Sequence, residues 1–239
     1  MNRVFVLSPA NCNGLRAQWL FRKNSRSDLA QRLRSSGAPL GEVFTFLSAL
    51  YFRGKLTYAR EFARPPSDCP GIFIITPTTG LVPHDSLIRL RNLRRFAAVP
   101  IHIKNEVYCS SLRRTAKKLA NRIGPECEVV LLGSLATAKY VEILNPIFGS
   151  RLIVPAEFIG RGDMSRGGLL LRYVRENREL NYINGTMLTE YKLNRSEIAS
   201  QLENTPRRKK NTFCLYFSYI TVNKPCEKKL TFQKARMGR

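Results

Sequence analysis

The stretch Val4-Phe-Val-Leu-Ser-Pro-Ala-Asn-Cys-Asn-Gly14 joins four consecutive apolar residues to a polar loop rich in turn formers. A short apolar run bounded by turn signals suits a strand buried on both faces. The arrangement recurs twice. Ile72–Ile75 runs into Thr76-Pro-Thr-Thr-Gly80, and Val129–Leu132 runs into Gly133-Ser134. The intervening segments read as helical. Leu15–Arg34 is one or two basic helices broken near Asn24-Ser25. Between Glu42 and Ala63, the positions Val43, Phe46, Leu47, Leu50, Tyr51, Leu56, Ala59 and Phe62 approximate helical spacing, with Gly54 as the weak point and Pro65-Pro66 as the stop. Tyr108–Ile123 is a further helix, and another follows Gly133-Ser134 to about Ile147. Short strands are expected at Val99–Ile103 and Leu152–Val154. Strands that alternate with helices across short loops imply βαβ units on a largely parallel sheet. The predicted fold is therefore α/β, a Rossmann-like three-layer domain with a mostly parallel sheet over residues 1–189.

Further along, Leu169–Ile183 reads as a β-hairpin turning at Glu176-Asn177, with a helix starting near Ser165 as the competing reading. Residues 190–239 form a basic C-terminal tail with one candidate strand at Thr212–Val222. Within it, residues 191–239 hold 12 Lys+Arg against three Asp+Glu, including the compact run Pro206-Arg-Arg-Lys-Lys210.

The 239 residues are 44% hydrophobic and 24% charged, a globular balance that argues against wholesale disorder. No apolar run approaches the ~18 residues of a membrane span, so no membrane partner is expected. Forty Lys+Arg against 17 Asp+Glu give a net charge of +23. Such an excess predicts a polyanionic partner, most commonly nucleic acid.

None of the six cysteines lies two to four residues from another, which excludes a zinc knuckle, and two histidines exclude a multi-histidine metal site. No metal and no cofactor is expected. Unpaired thiols fit a reducing compartment, and the opening apolar run is far shorter than a secretory h-region of roughly 7–15 residues. The chain is read as cytoplasmic.

Open parallel sheets bind ligands beyond the C-terminal ends of their strands, where helix N-termini present N–H groups. Loops Ser8–Gly14, Thr76–Asp85 and Gly133–Thr137 occupy that position, and Gly160–Gly168 is expected to close over the same edge. Ser8, Asn11, Thr79, Gly80, Gly133, Ser134 and Lys139 are the candidate ligand or phosphate contacts of the first three. Gly133-Ser-Leu-Ala-Thr-Ala-Lys139 nearly matches a P-loop, but Ala138 and Tyr140 replace the glycine and the magnesium-binding hydroxyl residue, which argues against ATP hydrolysis. In Gly160–Gly168, Arg161 and Arg166 flank Asp163 and Ser165, and two guanidiniums beside an acid suit a phosphate with an internal counter-ion. Asp163, together with His84 and Asp85, is also a candidate acid–base residue. Arg91, Arg94, Arg95, Arg113, Arg114, Lys117 and Lys118 cluster on helical segments and are the candidate nucleic-acid contacts.

The order of Leu7-Ser-Pro-Ala-Asn-Cys12, Leu50-Tyr-Phe-Arg-Gly-Lys55, Ile74-Ile-Thr-Pro-Thr-Thr-Gly-Leu-Val-Pro83, Val130-Leu-Leu-Gly133 and Gly160-Arg-Gly resembles that of uncharacterised bacterial and phage α/β domains. These are related in layout to the uracil-DNA-glycosylase-like domain of archaeosine synthases. The resemblance covers roughly residues 3–175 and implies a Rossmann-like sheet in a nucleobase or nucleic-acid context. The water-activating Asp/His signatures of active uracil-DNA glycosylases are missing, so base excision does not carry over. The functional expectation is a nucleic-acid-associated protein that binds a nucleotide or phosphate at the sheet's C-terminal edge, as a base- or nucleotide-modifying enzyme or as a non-catalytic DNA/RNA-binding module.

Overall fold

A computed structural model describes residues 1–134 and 138–185. The basic tail and the boundary expected near 189 lie outside the described residues. Chain order begins with β1 (Arg3–Leu7), α1 (Leu15–Phe21), α2 (Asp28–Arg34), β2 (Ala38–Pro39) and α3 (Leu40–Phe62). It continues with β3 (Ile72–Thr76), β4 (Gly80–Pro83), β5 (Leu87–Ile88), α4 (Leu90–Ala98), α5 (Glu106–Ile123) and β6 (Glu128–Leu132). The last elements are α6 (Ala138–Phe148), β7 (Leu152–Pro155), α7 (Asp163–Arg175) and β8 (Tyr182–Asn184).

The main sheet has the order β4-β3-β1-β6-β7-β8. β3, β1, β6 and β7 are parallel, and β4 and β8 are antiparallel edges. Every residue of Val4–Leu7, Ile72–Thr76 and Val129–Leu132 is buried. Continuous burial means that both faces of these strands are covered, as parallel sheets require. α3 packs on β1, β3 and α7, while α5 packs on β3, β4 and α6. The α/β fold read from the three apolar runs is the observed one.

Local chemistry sets the helix ends. The Ser27 side chain accepts a hydrogen bond from the Ala30 N–H and starts α2. Asn105 caps α5 by accepting from the Tyr108 N–H at 3.1 Å, and Gly124 ends it at φ +73°.

Two expectations are corrected, the hairpin in favour of the competing helix. Leu169–Ile183 is not a hairpin: it is the C-terminal part of α7 followed by the edge strand β8. Arg166, Gly167, Leu169 and Leu170 are all buried, a helical stripe laid against α3. Val99–Ile103 is loop rather than strand. Pro100 has no N–H to give a ladder there.

Candidate functional site

β1 is the point at which the sheet order reverses, with β3 on one side and β6 on the other. At such a switch point the loops after adjacent strands part and leave a crevice. The crevice is present as a cavity of about 390 Å³ lined by Ser8–Asn13, Pro77, Ser134, Lys139, Tyr140 and Asp163, with Ser48 and Tyr51 of α3. Ser8 and Gly133 sit side by side because the Ser8 N–H continues the ladder to Leu132 O at 3.0 Å. A side chain at Gly133 would press on Ser8 Cβ at 3.1 Å. Lys139 and Tyr140 enter from the first turn of α6. Lys139 is held there by its carbonyl, which accepts from the buried Tyr108 hydroxyl at 2.8 Å. The expected convergence of Ser8, Asn11, Ser134, Lys139 and Asp163 on one edge is therefore observed.

Other candidates lie elsewhere. Thr79 and Gly80 form the tight turn between β3 and β4, where the Thr79 N–H donates to Thr76 Oγ1 at 3.2 Å. Gly80 has φ +76°, and a side chain on it would collide with Ser111 and Thr115 of α5. Its glycine serves turn and packing rather than a ligand. The same hairpin carries His84 and Asp85 away. Pro83 pairs with Phe73, and the His84 N–H donates to Ile72 O at 3.1 Å, at the N-terminal end of β3. The cavity is at the other end of that strand, about 13 Å off at ~3.3 Å per residue. The notion of His84 and Asp85 as acid–base residues of this site is thus corrected.

The glycine-rich segment is also reassigned. Gly162 is the N-cap of α7, and the exposed Ser165 hydroxyl donates back to Gly162 O at 2.9 Å. Arg161 is exposed. Arg166 is buried, donating to Asp163 Oδ1 at 3.2 Å and to Phe158 O at 2.9 Å, with its guanidinium over the Phe158 ring. It braces the turn before α7 and does not pair with Arg161 as a phosphate clamp. Asp163 faces the cavity.

The most unusual group in this region is Lys55, which sequence reading did not single out. It is 1% exposed, and its Nζ donates to Ser8 O at 2.6 Å and lies 2.8 Å from Ser8 Oγ. Tyr51 and Phe52 present their rings at 4.5 and 4.8 Å. Burial drives the Lys55 pKa from its ordinary value down to about 7; Asp163 opposes this and Arg166 adds to it. The helix position had a signal. Tyr51, Phe52, Leu56, Tyr58 and Ala59 are the apolar stripe of the second half of α3, and Lys55 falls within it.

Two backbone features place this lysine. α3 kinks at Ala49, whose φ of 46° is rare for a residue with a side chain. The kink re-aims Tyr51 and Lys55 toward the end of β1. Beyond it, α3 and α7 touch backbone to backbone: a Cβ at Gly54 would lie 2.7 Å from Gly167 O, and one at Gly167 would lie 2.9 Å from Leu50 O. The glycine pair brings Asp163 and Arg166 next to Tyr51 and Lys55.

Tyr51 is buried on the cavity wall; its hydroxyl lies near the Arg166 guanidinium but accepts no hydrogen bond within 3.5 Å among the described residues. Burial pushes its pKa up to about 12, so it is a phenol, a donor, at neutral pH. Cys12, the thiol on the same loop, is buried and pushed up to about 12 by desolvation, which leaves it protonated and unreactive. No group of three or more metal-ligating side chains occurs among the described residues.

The candidate nucleic-acid residues are exposed on two helices. Arg91, Arg94 and Arg95 project from α4 opposite the buried Leu93 and Phe96. Arg113, Arg114, Lys117 and Lys118 project from α5 opposite Leu112, Ala116 and Leu119. Among the described residues no helix is long and apolar enough to cross a membrane. No protein-family model, curated protein or solved structure matches this chain.

Proposed function

We propose that the chain binds a phosphate-bearing ligand, a nucleotide or a nucleic-acid end, in the cavity beyond β1 and β6, and contacts nucleic acid through the cationic faces of α4 and α5. The supporting observation is the place of the cavity. It lies at the switch point of the sheet, with the first turn of α6, Ser134 and Lys139 on one wall and Ser8 and Asn11 on the other. A helix N-terminus with a lysine in its first turn favours an anion. Base or nucleotide modification is the enzymatic form of this reading. The non-catalytic form, a DNA/RNA-binding module, is favoured by the exposure of the α4 and α5 arginines and lysines, of which Arg113 makes a loose 4.0 Å surface pair with Glu106.

The test is the salt dependence of binding to a labelled single-stranded and a labelled duplex oligonucleotide. Log K should fall linearly with log salt. Replacing Arg113, Arg114, Lys117 and Lys118 together should reduce the slope by up to about 3–4 if each neutralises one phosphate. A nucleoside monophosphate should compete at the cavity in the parent chain and lose affinity in Lys139→Ala. A slope unchanged by the fourfold replacement would remove the α5 interface. Equal nucleotide affinity in Lys139→Ala would remove the phosphate reading of the cavity.

A further inference from the structure

We infer that Ser8 and Lys55 form a nucleophile–base pair that transfers acyl groups, giving the cavity an esterase-type activity towards small carboxylic esters. The inference stands on geometry apart from anion binding. Ser8 lines the cavity, and Lys55 is buried against Ser8. Its Nζ is 2.8 Å from Ser8 Oγ, the distance at which a base takes a hydroxyl proton. A lysine that only capped the end of β1 would need Ser8 O alone. Here the same nitrogen is fixed by Ser8 O at 2.6 Å and aligned on the hydroxyl as well. Serine–lysine pairs are an established variant of the hydroxyl nucleophile with an adjacent base.

Proton transfer needs a lysine that is neutral part of the time. The groups facing Lys55 are Ser8 after β1, Tyr51 and Phe52 on its own helix, and Asp163 and Arg166 on α7. The acid and the guanidinium oppose each other, so burial dominates and holds the amine near neutrality at physiological pH.

The step balances without a further reactant. Neutral Lys55 accepts the Ser8 hydroxyl proton as Oγ bonds to the ester carbonyl carbon, and the carbonyl π pair moves to oxygen. The Tyr51 hydroxyl, on the same cavity wall, has only the Arg166 guanidinium, itself a donor, as a polar neighbour, so its proton is available to that oxyanion. Collapse breaks the bond to the leaving alkoxide, which takes the proton back from the Lys55 ammonium. Water, losing a proton to the again-neutral Lys55, then adds to the acyl carbon; collapse breaks the Ser8 Oγ–acyl bond, the carboxylic acid leaves, and Ser8 Oγ takes the proton back from the Lys55 ammonium.

The experiment exposes the full chain to an alkyl fluorophosphonate between pH 6 and 8.5 and locates the adduct by intact mass and peptide mapping. The expected result is one adduct on Ser8, absent in Ser8→Ala. Its rate should rise about tenfold in all across this range, half-maximal near the Lys55 pKa of about 7. Lys55→Arg, which keeps a permanent cation, should slow labelling by ~100-fold or more. Tyr51→Phe should lower turnover of p-nitrophenyl butyrate by about 100-fold. The unmodified chain decides the matter even if Lys55→Arg fails to fold. No adduct on Ser8 at any pH, an adduct that survives Ser8→Ala, or a rate flat from pH 6 to 8.5 would overturn the assignment. None of these outcomes bears on nucleotide affinity, so the two readings fail separately.

Discussion

Adjacent glycines in α7 should respond to alanine with opposite signs. Gly167 meets α3 so closely that a Cβ would lie 2.9 Å from both Leu50 O and Tyr51 Cα, whereas a Cβ on Gly168 would meet nothing within 4 Å. Both occupy the interior of the same helix, so alanine gains roughly 0.4–1 kcal/mol at each through backbone entropy and helix propensity. At Gly167 that gain is opposed by overpacking. The carbons must part by about half an ångström or more to reach ordinary contact, which typically costs ~1–3 kcal/mol in a packed interior. The propensity contribution cancels between the two variants, so Gly168→Ala should exceed Gly167→Ala in stability by about 1–3 kcal/mol. For a domain of this size that corresponds to a melting difference of ~2–12 °C. Urea unfolding followed by circular dichroism, with the m-value checked for constancy, reads the difference directly. Gly54→Ala should behave like Gly167→Ala, because its Cβ would press on Gly167 O at 2.7 Å. Equal stability of Gly167→Ala and Gly168→Ala would refute the backbone contact that brings α7 to Lys55.

Two other outcomes follow from the buried cations. The folded-state pKa of Lys55 is lowered to about 7, below its ordinary unfolded value, so between these pH values the unfolded chain binds more protons and stability rises with pH. The thiols of Cys12, Cys69 and Cys127, raised by burial, act in the opposite sense as pH approaches the ordinary thiol value of about 8.5, and the Tyr51 phenol does so at higher pH. Lys55→Met keeps these thiols, so the slope of the parent minus that of the variant from about pH 7 to 8.5 isolates the lysine and should be positive; an unchanged slope in the variant would assign the rise to another group. Arg166→Lys should lower stability by ~1–3 kcal/mol, since one ammonium cannot reproduce the bonds to Phe158 O and Asp163. Arg161→Lys, at an exposed position, should stay within about 0.5 kcal/mol, and a thermal-shift measurement separates the two.

The fold was legible because β1, β3 and β6 are apolar along their whole length, a pattern that only a sheet covered on both faces explains. Their shared C-terminal edge was legible for the same reason: polar loops follow all three. Three things were hidden. The turn at Thr79-Gly80 looks like a ligand loop in sequence, but Gly80 pairs back to Thr76 and reverses the chain, which sends His84 to the wrong end of the sheet. The Gly160–Gly168 segment looks like a phosphate loop because glycine permits both close ligand approach and close helix approach. Sequence does not say which, and Gly167 serves the second. Lys55 was hidden by its charge. A lysine is ordinarily placed at the surface, so residue type alone points away from the buried place that Lys55 takes inside the stripe of Tyr51, Phe52, Leu56 and Ala59.

The net charge of +23 is thus divided between two kinds of cation that obey different physics. Arg91, Arg94, Arg95 and the Arg113–Lys118 cluster face water, where salt screens charges more than about 8 Å apart at physiological ionic strength. Such groups attract a polyanion at a distance and release it as salt rises. Lys55 and Arg166 are enclosed by Tyr51, Phe52 and Phe158, and their interactions with Ser8 and Asp163 are short and shielded from mobile ions. Their energetics are set by desolvation, which salt scarcely alters. Raising ionic strength should therefore loosen any nucleic acid on α4 and α5 while leaving the protonation of Lys55, and the reactivity of Ser8 that depends on it, nearly unchanged.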